Sequence, residues 1–201
     1  MIITRLEELD KAKVKVYIDN EYAFLLYKPD IKKYHLEEEM EISSEIYKDI
    51  LENTVLRRSK QKAVAILKFM NRTETELRNK LKDAGYPKDI IDTTISYVSE
   101  YGYINDERYA TAYIKERKSR KSKRIISLEL QYKGINKDIL DTIFLSEYSG
   151  EDNEDPEIIA IRRAISKKSK APESLSSEEK QKIIASLYRK GFELDKIKQC
   201  L

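Results

Sequence analysis

Apolar residues recur every three or four positions from about residue 55 to the end of the chain, a spacing that predicts amphipathic helices. The first of these helices ends before Thr73, which together with Glu76 forms the capping-box signature of a second helix. The second helix is predicted to end at Gly85, and Pro87 suits the first turn of a third. The pattern therefore predicts three consecutive helices with short connections.

The stretch from Gly102 to Ala110, Gly-Tyr-Ile-Asn-Asp-Glu-Arg-Tyr-Ala, predicts a corner where one helix ends and the next begins. Gly102 suits the left-handed conformation that closes a helix. Asn105 is a good N-cap residue, and the acidic residues after it lie where the new helix dipole is positive. The helix after this corner is predicted to bury Tyr109, Ala110, Tyr113 and Ile114.

The same three-helix pattern occurs three times along the chain. Three glycines, Gly85, Gly134 and Gly191, end the middle helix of each unit, and apolar residues lie eight and four positions before and six positions after each glycine. These matched residues are Leu77, Ile126 and Ile183; Leu81, Leu130 and Leu187; and Ile91, Leu140 and Ile197. We therefore predict tandem three-helix repeats that share contacts along an elongated, curved string and serve as a binding surface.

Alternating apolar and polar residues over 13–27 predict a small β-hairpin that turns at Asp19-Asn20. A two-residue loop would place Val16 and Ile18 beside Ala23 and Leu25, and a three-residue loop would place them beside Tyr22 and Phe24. Short helices are expected near 31–36 and 44–52, the second capped by Ser43 or Ser44.

The fold class is therefore mainly α, with a small N-terminal β-hairpin and short helices. The expected domain organisation is an N-terminal region over 1–54, repeat 1 over 55–104, repeat 2 over 105–148, an acidic linker over 149–156 and repeat 3 over 157–201.

Charge is segregated along the chain although its net value is only +3. Residues 115–124 carry seven cations, residues 147–157 carry six acids and no base, and a second basic run lies over 162–170. Each basic run is explained either as a solvated helix end whose cations complement the helix dipole or as a contact for phosphates or an acidic protein. We expect the acidic linker over 149–156 to be a solvated hinge whose self-repulsion holds repeat 3 away from repeat 2 until a partner positions it.

The composition provides little for catalysis. Cys200 and His35 are the only residues of their types, and the five glycines are scattered singly, so the sequence suggests no catalytic triad, metal site, phosphate loop or cofactor. No apolar run approaches the length of a membrane span, and a disulfide within the chain is impossible. We expect a soluble, cytoplasmic, monomeric protein that is not an enzyme.

Several of these segments resemble the RecX family of bacterial RecA regulators. The resemblance rests on the Gly102–Ala110 stretch, on Arg72-Thr73 through Gly85 before it, and on Arg124-Ile125 through Gly134-Ile135 after it. It is strong over about 55–148 and weaker over the last repeat, and the family's glycine in the basic segment is here Ser122. The resemblance implies tandem three-helix repeats that bind the groove of the RecA filament on single-stranded DNA, inhibit ATP hydrolysis and strand exchange, and favour filament disassembly, in homologous recombination, DNA repair and the SOS response.

We therefore expect an inhibitor of RecA recombinase, with single- or double-stranded DNA as a further partner and no membrane partner. A direct DNA-binding helical protein and a non-catalytic protein–protein scaffold are the alternatives. Contact residues are chosen by charge alone: Lys115, Arg117, Lys118, Arg120, Lys121, Lys123, Arg124, Arg162, Arg163, Lys167 and Lys168.

Overall fold

The computed structural model describes residues 1–148, 154–169 and 172–201. The chain falls into two compact units, Met1–Asn105 and Asp106–Leu201. Most of the predicted acidic linker, and Lys170 of the second basic run, lie outside the described residues. Within the described ranges, every helix is too short or too polar to cross a membrane.

The first unit begins with a three-stranded antiparallel sheet in the order β1 (Ile3–Glu8), β2 (Lys13–Ile18) and β3 (Glu21–Tyr27). The predicted hairpin is β2–β3, and β1 was missed. Its apolar residues Ile3 and Leu6 are three positions apart, which breaks the alternation expected of a strand. A register shift between Ile3 and Arg5 accommodates this spacing, so the strand pairs with β2 despite its irregular pattern.

The β2–β3 turn combines features of both predicted registers. The loop has two residues, Asp19 and Asn20, whose positive φ angles of 49° and 69° fit a type I′ turn. A register shift just after Val16 then places this residue opposite Phe24, the partner expected for a three-residue loop. Both side chains are fully buried, so packing on the apolar face outweighs uninterrupted pairing.

Helices follow the sheet directly. Helix α1 (Lys28–Lys33) begins three residues before the predicted 31–36 because Pro29 fits its first turn. Helix α2 (Ser44–Asp49) is capped by Ser43 and continues through a π-helical segment, Ile50–Leu56, into α3. The expected boundary at residue 54 therefore lies within a continuous helical segment.

Three helices form each repeat, and each repeat has its own hydrophobic core. We call the three folded repeats modules one, two and three. Module one contains α3 (Arg57–Phe69), α4 (Glu74–Asp83) and α5 (Lys88–Glu100). Module two contains α6 (Asp106–Arg117), α7 (Lys123–Tyr132) and α8 (Lys137–Tyr148). Module three contains α9 (Pro156–Ser166), α10 (Ser177–Arg189) and α11 (Leu194–Gln199). The predicted three-helix repeats are confirmed.

The local signals behind the repeats are also confirmed. All nine matched apolar positions are buried. Gly85, Gly134 and Gly191 all have φ between 79° and 88°, a left-handed conformation in which side chains are strained. Thr73 and Glu76 form the predicted capping box at the start of α4.

Candidate partner interface

The first basic run spans the junction between α6 and α7. Lys115 and Arg117 lie in the last turn of α6, and the chain turns over residues 118–121. Ser122 is the N-cap of α7, where its Oγ accepts a hydrogen bond from the backbone N–H of Ile125 at 3.3 Å. Lys123 and Arg124 then open α7. The seven cations therefore occupy a helix end, a loop and a helix start, and they do not share one helix face.

Three lysines of this run form ion pairs within module two. Lys118 Nζ lies 3.0 Å from Glu147 Oε2 and also donates to the Glu147 carbonyl oxygen, while Lys115 Nζ lies 3.4 Å from the same carboxylate. Lys121 Nζ lies 2.5 Å from Glu129 Oε1. Burial would raise the pKa of Glu129, but hydrogen bonds from Lys121 and Tyr113 outweigh it and lower that pKa. These contacts stabilise the fold of module two.

Two more cations of the run pack on aromatic rings. The Arg117 guanidinium lies 3.8 Å from the centre of the Tyr113 ring and pairs with Glu116. Lys123 Nζ lies 5.2 Å from the centre of the Phe144 ring. Cation–π contacts of this kind contribute about 0.5–1 kcal/mol at exposed sites, so both side chains are held in place.

The second basic run lies at the end of α9. Arg162 pairs with Glu154 at the start of module three, whereas Arg163 donates to Ser119 Oγ of module two at 2.9 Å. Lys168 donates to Ser186 Oγ at 2.8 Å. Two of these three cations therefore have neutral hydroxyl partners, so their charges are not neutralised.

Modules two and three are joined by a polar contact, which corrects the expectation that the two repeats are held apart. Glu157 is buried, accepts the backbone N–H of Lys123 at 2.8 Å and pairs with Lys196 at 2.7 Å. Ser122 Oγ donates to the Lys190 carbonyl oxygen at 2.8 Å. Glu157 thus neutralises Lys196 and complements the start of α7. Module three contacts module two; it is not held away from it.

The two basic runs meet at a cleft of about 450 Å³ within the second unit. Ala160 and Ala164 form its apolar lining, and all its remaining lining side chains are cationic: Arg120, Arg163, Lys167, Lys168 and Lys190. Among the described residues, none of these five forms an ion pair. We call this site the basic cleft.

Four of the eleven candidates predicted from charge line the basic cleft. Lys190 also lines it and was not predicted, because only one other cation, Arg189, adjoins it and the pair does not form a basic run. Its position just before Gly191, at the end of a repeat's middle helix, was the available signal. Arg124 lies elsewhere, in a shallow depression that also contains Asp141, Glu157 and Glu193. Among the described residues, no group of His, Cys, Asp and Glu is arranged to hold a metal ion.

Comparison with protein families matches three successive domains to this chain. They are described as the first, second and third three-helix domains of RecX and match residues 60–97, 105–142 and 156–201. Each match falls on one of the three modules, and together they cover more than half of the chain.

Similar proteins carry the same family name. The regulatory protein RecX of Caldanaerobacter subterraneus subsp. tengcongensis is 34% identical, over 100% of this chain and 98% of its own length. The RecX of Clostridium perfringens strain SM101 is 33% identical, over 91% and 85%.

Two solved structures share the fold. A crystal structure of regulatory protein RecX aligns with a TM-score of 0.65 at 20% identity, over 99% of this chain and 98% of its own. The RecX of Lactobacillus salivarius aligns with a TM-score of 0.60 at 23% identity, over 72% and 93%. The three matched domains and these relatives show that the chain belongs to the RecX family of regulatory proteins.

Proposed function

We propose that this chain regulates RecA recombinase by binding the RecA filament on single-stranded DNA and suppressing its ATP hydrolysis and strand exchange. The observation that carries this proposal is the match of all three RecX domains to residues 60–201. The RecX relatives are named as regulatory proteins, and their similarity extends over nearly the whole chain.

The proposed action is regulation by binding, so it has a thermodynamic requirement. A ligand shifts an equilibrium only by the difference between its affinities for the two states. The regulator must therefore bind an inactive state of the filament more tightly than the active state. The three modules offer surfaces for such binding, because each folds around a hydrophobic core of its own and carries exposed cations.

The direct test is RecA's single-stranded-DNA-dependent ATPase with the full chain titrated in. We expect inhibition at fewer than one regulator per recombinase, because one bound regulator can affect several filament subunits. Strand exchange, measured beside it, should fall over the same range. No inhibition of either reaction up to equimolar regulator would overturn the proposal and favour a scaffold or a protein that binds only DNA.

A further inference from the structure

The fold leaves the basic cleft without carboxylates although it supplies them to neighbouring cations. In the same unit, Glu147 pairs with Lys118, Glu129 with Lys121, and Glu154 with a cation next to the cleft. Inside the cleft, by contrast, two of the cations, Arg163 and Lys168, donate to the hydroxyls of Ser119 and Ser186. Five like charges in one cleft repel one another, and this repulsion acts across the contact between modules two and three.

The dipoles of the neighbouring helices offset only part of the positive charge in the cleft. Lys167 and Lys190 are the C-cap residues of α9 and α10, and Arg120 follows the end of α6. Each helix end carries roughly −0.5 charge, so three ends offset roughly 1.5 of the five positive charges. An excess of roughly 3.5 positive charges remains, so the cleft needs an external anion for full neutralisation.

We propose that the basic cleft binds the phosphodiester backbone of single-stranded nucleic acid. Arginine guanidinium groups pair with phosphate through two parallel hydrogen bonds, and lysines add mobile positive charge. Arg120 and Arg163 would provide the paired contacts, and Lys167, Lys168 and Lys190 would follow the neighbouring phosphates. The bound strand would link modules two and three, because its phosphates would screen the repulsion between their cations.

The lining of the cleft favours a backbone over the other classes of partner. Protein partners are held mainly by aromatic and large apolar anchors, and proteins that read the sequence of single-stranded RNA stack its bases on aromatic rings. The cleft has neither: its apolar lining is Ala160 and Ala164. Contacts to phosphate alone carry no sequence information. The cleft therefore suits a sequence-independent grip on one strand, and the inference rests on the proposed function in that the regulated filament carries such a strand.

The test compares two triple variants of the full chain in the absence of recombinase. The cleft variant carries Arg120→Gln, Lys167→Gln and Lys190→Gln, which are exposed side chains with no ion pair to any described residue. The control variant removes the same charge from exposed lysines of the same unit that do not line the cleft: Lys137→Gln, Lys182→Gln and Lys198→Gln. Binding of a dye-labelled oligothymidylate is followed by fluorescence anisotropy over a series of salt concentrations.

We expect the cleft variant to bind the oligonucleotide at least about tenfold more weakly at low salt. Its plot of log K against log salt should be shallower by about 2, since each lost phosphate contact removes about 0.7 from the slope for a single strand. The control variant should keep the affinity and slope of the unmodified chain. Both variants should melt close to the temperature of the unmodified chain, because each loses exposed like charges and no ion pair.

Three results would overturn the inference. Equal losses in both variants would reduce the binding to general charge attraction, and an unmodified chain that fails to bind at low salt would exclude a phosphodiester ligand. If the cleft variant still binds the oligonucleotide but no longer binds DNA-free RecA, the partner of the cleft is an acidic protein surface. The ATPase test of the unmodified chain is independent, so each proposal can fail alone.

Discussion

Two glycine corners at equivalent positions in modules one and three are used in different ways. Gly85, after α4, has a φ of 84° and packs against Tyr22 and Leu25 of the sheet. The Tyr22 hydroxyl donates to the Gly85 carbonyl oxygen at 2.5 Å. The first corner is therefore an apolar and aromatic contact with one hydrogen bond.

The corner at Gly191, after α10, contacts the start of α7 instead. Its φ is 79°, and Ser122 donates to the carbonyl oxygen of Lys190 beside it. The buried Glu157, paired with Lys196, complements the same helix start. This corner is polar and lies next to the basic cleft.

The difference shows that one local motif can serve two kinds of joint. A left-handed glycine ends the helix and has no Cβ, so a neighbouring hydroxyl can approach a backbone carbonyl at the corner closely. Whether the joint is apolar or ionic depends on the neighbour. The two joints can be measured separately, beginning with the change of largest expected effect.

Removing Lys196 should break the ionic joint. The change Lys196→Met leaves the Glu157 carboxylate buried without its cation, and we expect the free energy of unfolding of the second unit to fall by about 3 kcal/mol. Urea denaturation followed by circular dichroism measures this change. The control Lys198→Met alters an exposed lysine of the same helix and should stay within about 0.5 kcal/mol of the unmodified chain. Equal effects would show that the pair contributes little.

Alanine at three left-handed glycines should separate backbone strain from crowding. A Cβ at Gly102 would meet no atom within 4 Å, so backbone strain alone should lower the free energy of unfolding by about 1 kcal/mol. A Cβ at Gly85 would lie 3.3 Å from the Tyr22 hydroxyl, so strain and crowding together should lower the free energy of unfolding by about 2 kcal/mol. A Cβ at Gly191 would lie 2.9 Å from Ser122 Oγ, and the expected loss is about 3 kcal/mol. Urea unfolding of the three variants should give this order, and a reversed order would contradict it.

Removing the Ser122 hydroxyl should weaken the second corner moderately. Ser122→Ala loses both the N-cap of α7 and the bond to the Lys190 carbonyl, which together amount to about 1–2 kcal/mol. The same change relieves the crowding of Gly191→Ala. A double-mutant cycle should therefore give a total cost about 1 kcal/mol below the sum of the single changes. Strict additivity would mean that the hydroxyl does not crowd the glycine.

The first corner should be sensitive to alkali. Burial raises the pKa of Tyr22 to about 12 from the ordinary 10.0, so the folded chain holds this proton more tightly than the unfolded chain does. The resulting stabilisation is complete below pH 10 and is lost as pH rises through 12. Tyr22→Phe should cost about 1 kcal/mol or less at pH 7 and show a smaller decline in stability over that window. Identical pH profiles for both chains would exclude Tyr22 as the source of the alkaline decline.

The predictable features of this protein depend on neighbours in sequence. Helix periodicity, the Thr73 capping box and the three left-handed glycines are local, so the three modules could be inferred from the order of residues alone. The first strand and the hairpin register could not, because bulges at Ile3 and after Val16 are fixed by packing across the sheet.

The basic residues show the same division. Their segregation into two runs is visible in the sequence, but charge alone gave eleven equivalent candidates. Only the tertiary structure distinguished Lys118, which Glu147 neutralises from 29 positions away, from Arg120, which lines the cleft without an ion pair to any described residue. It also added Lys190, 70 positions beyond Arg120.

The sequence by itself thus determined the helices, their ends and the repeated modules, because hydrophobic periodicity and caps act over a few residues. Tertiary structure alone decided which neighbour fills each glycine corner and which cations remain without a carboxylate. The reason is physical: ion pairing and close packing depend on distances in space, and the chain brings those partners together only when it folds.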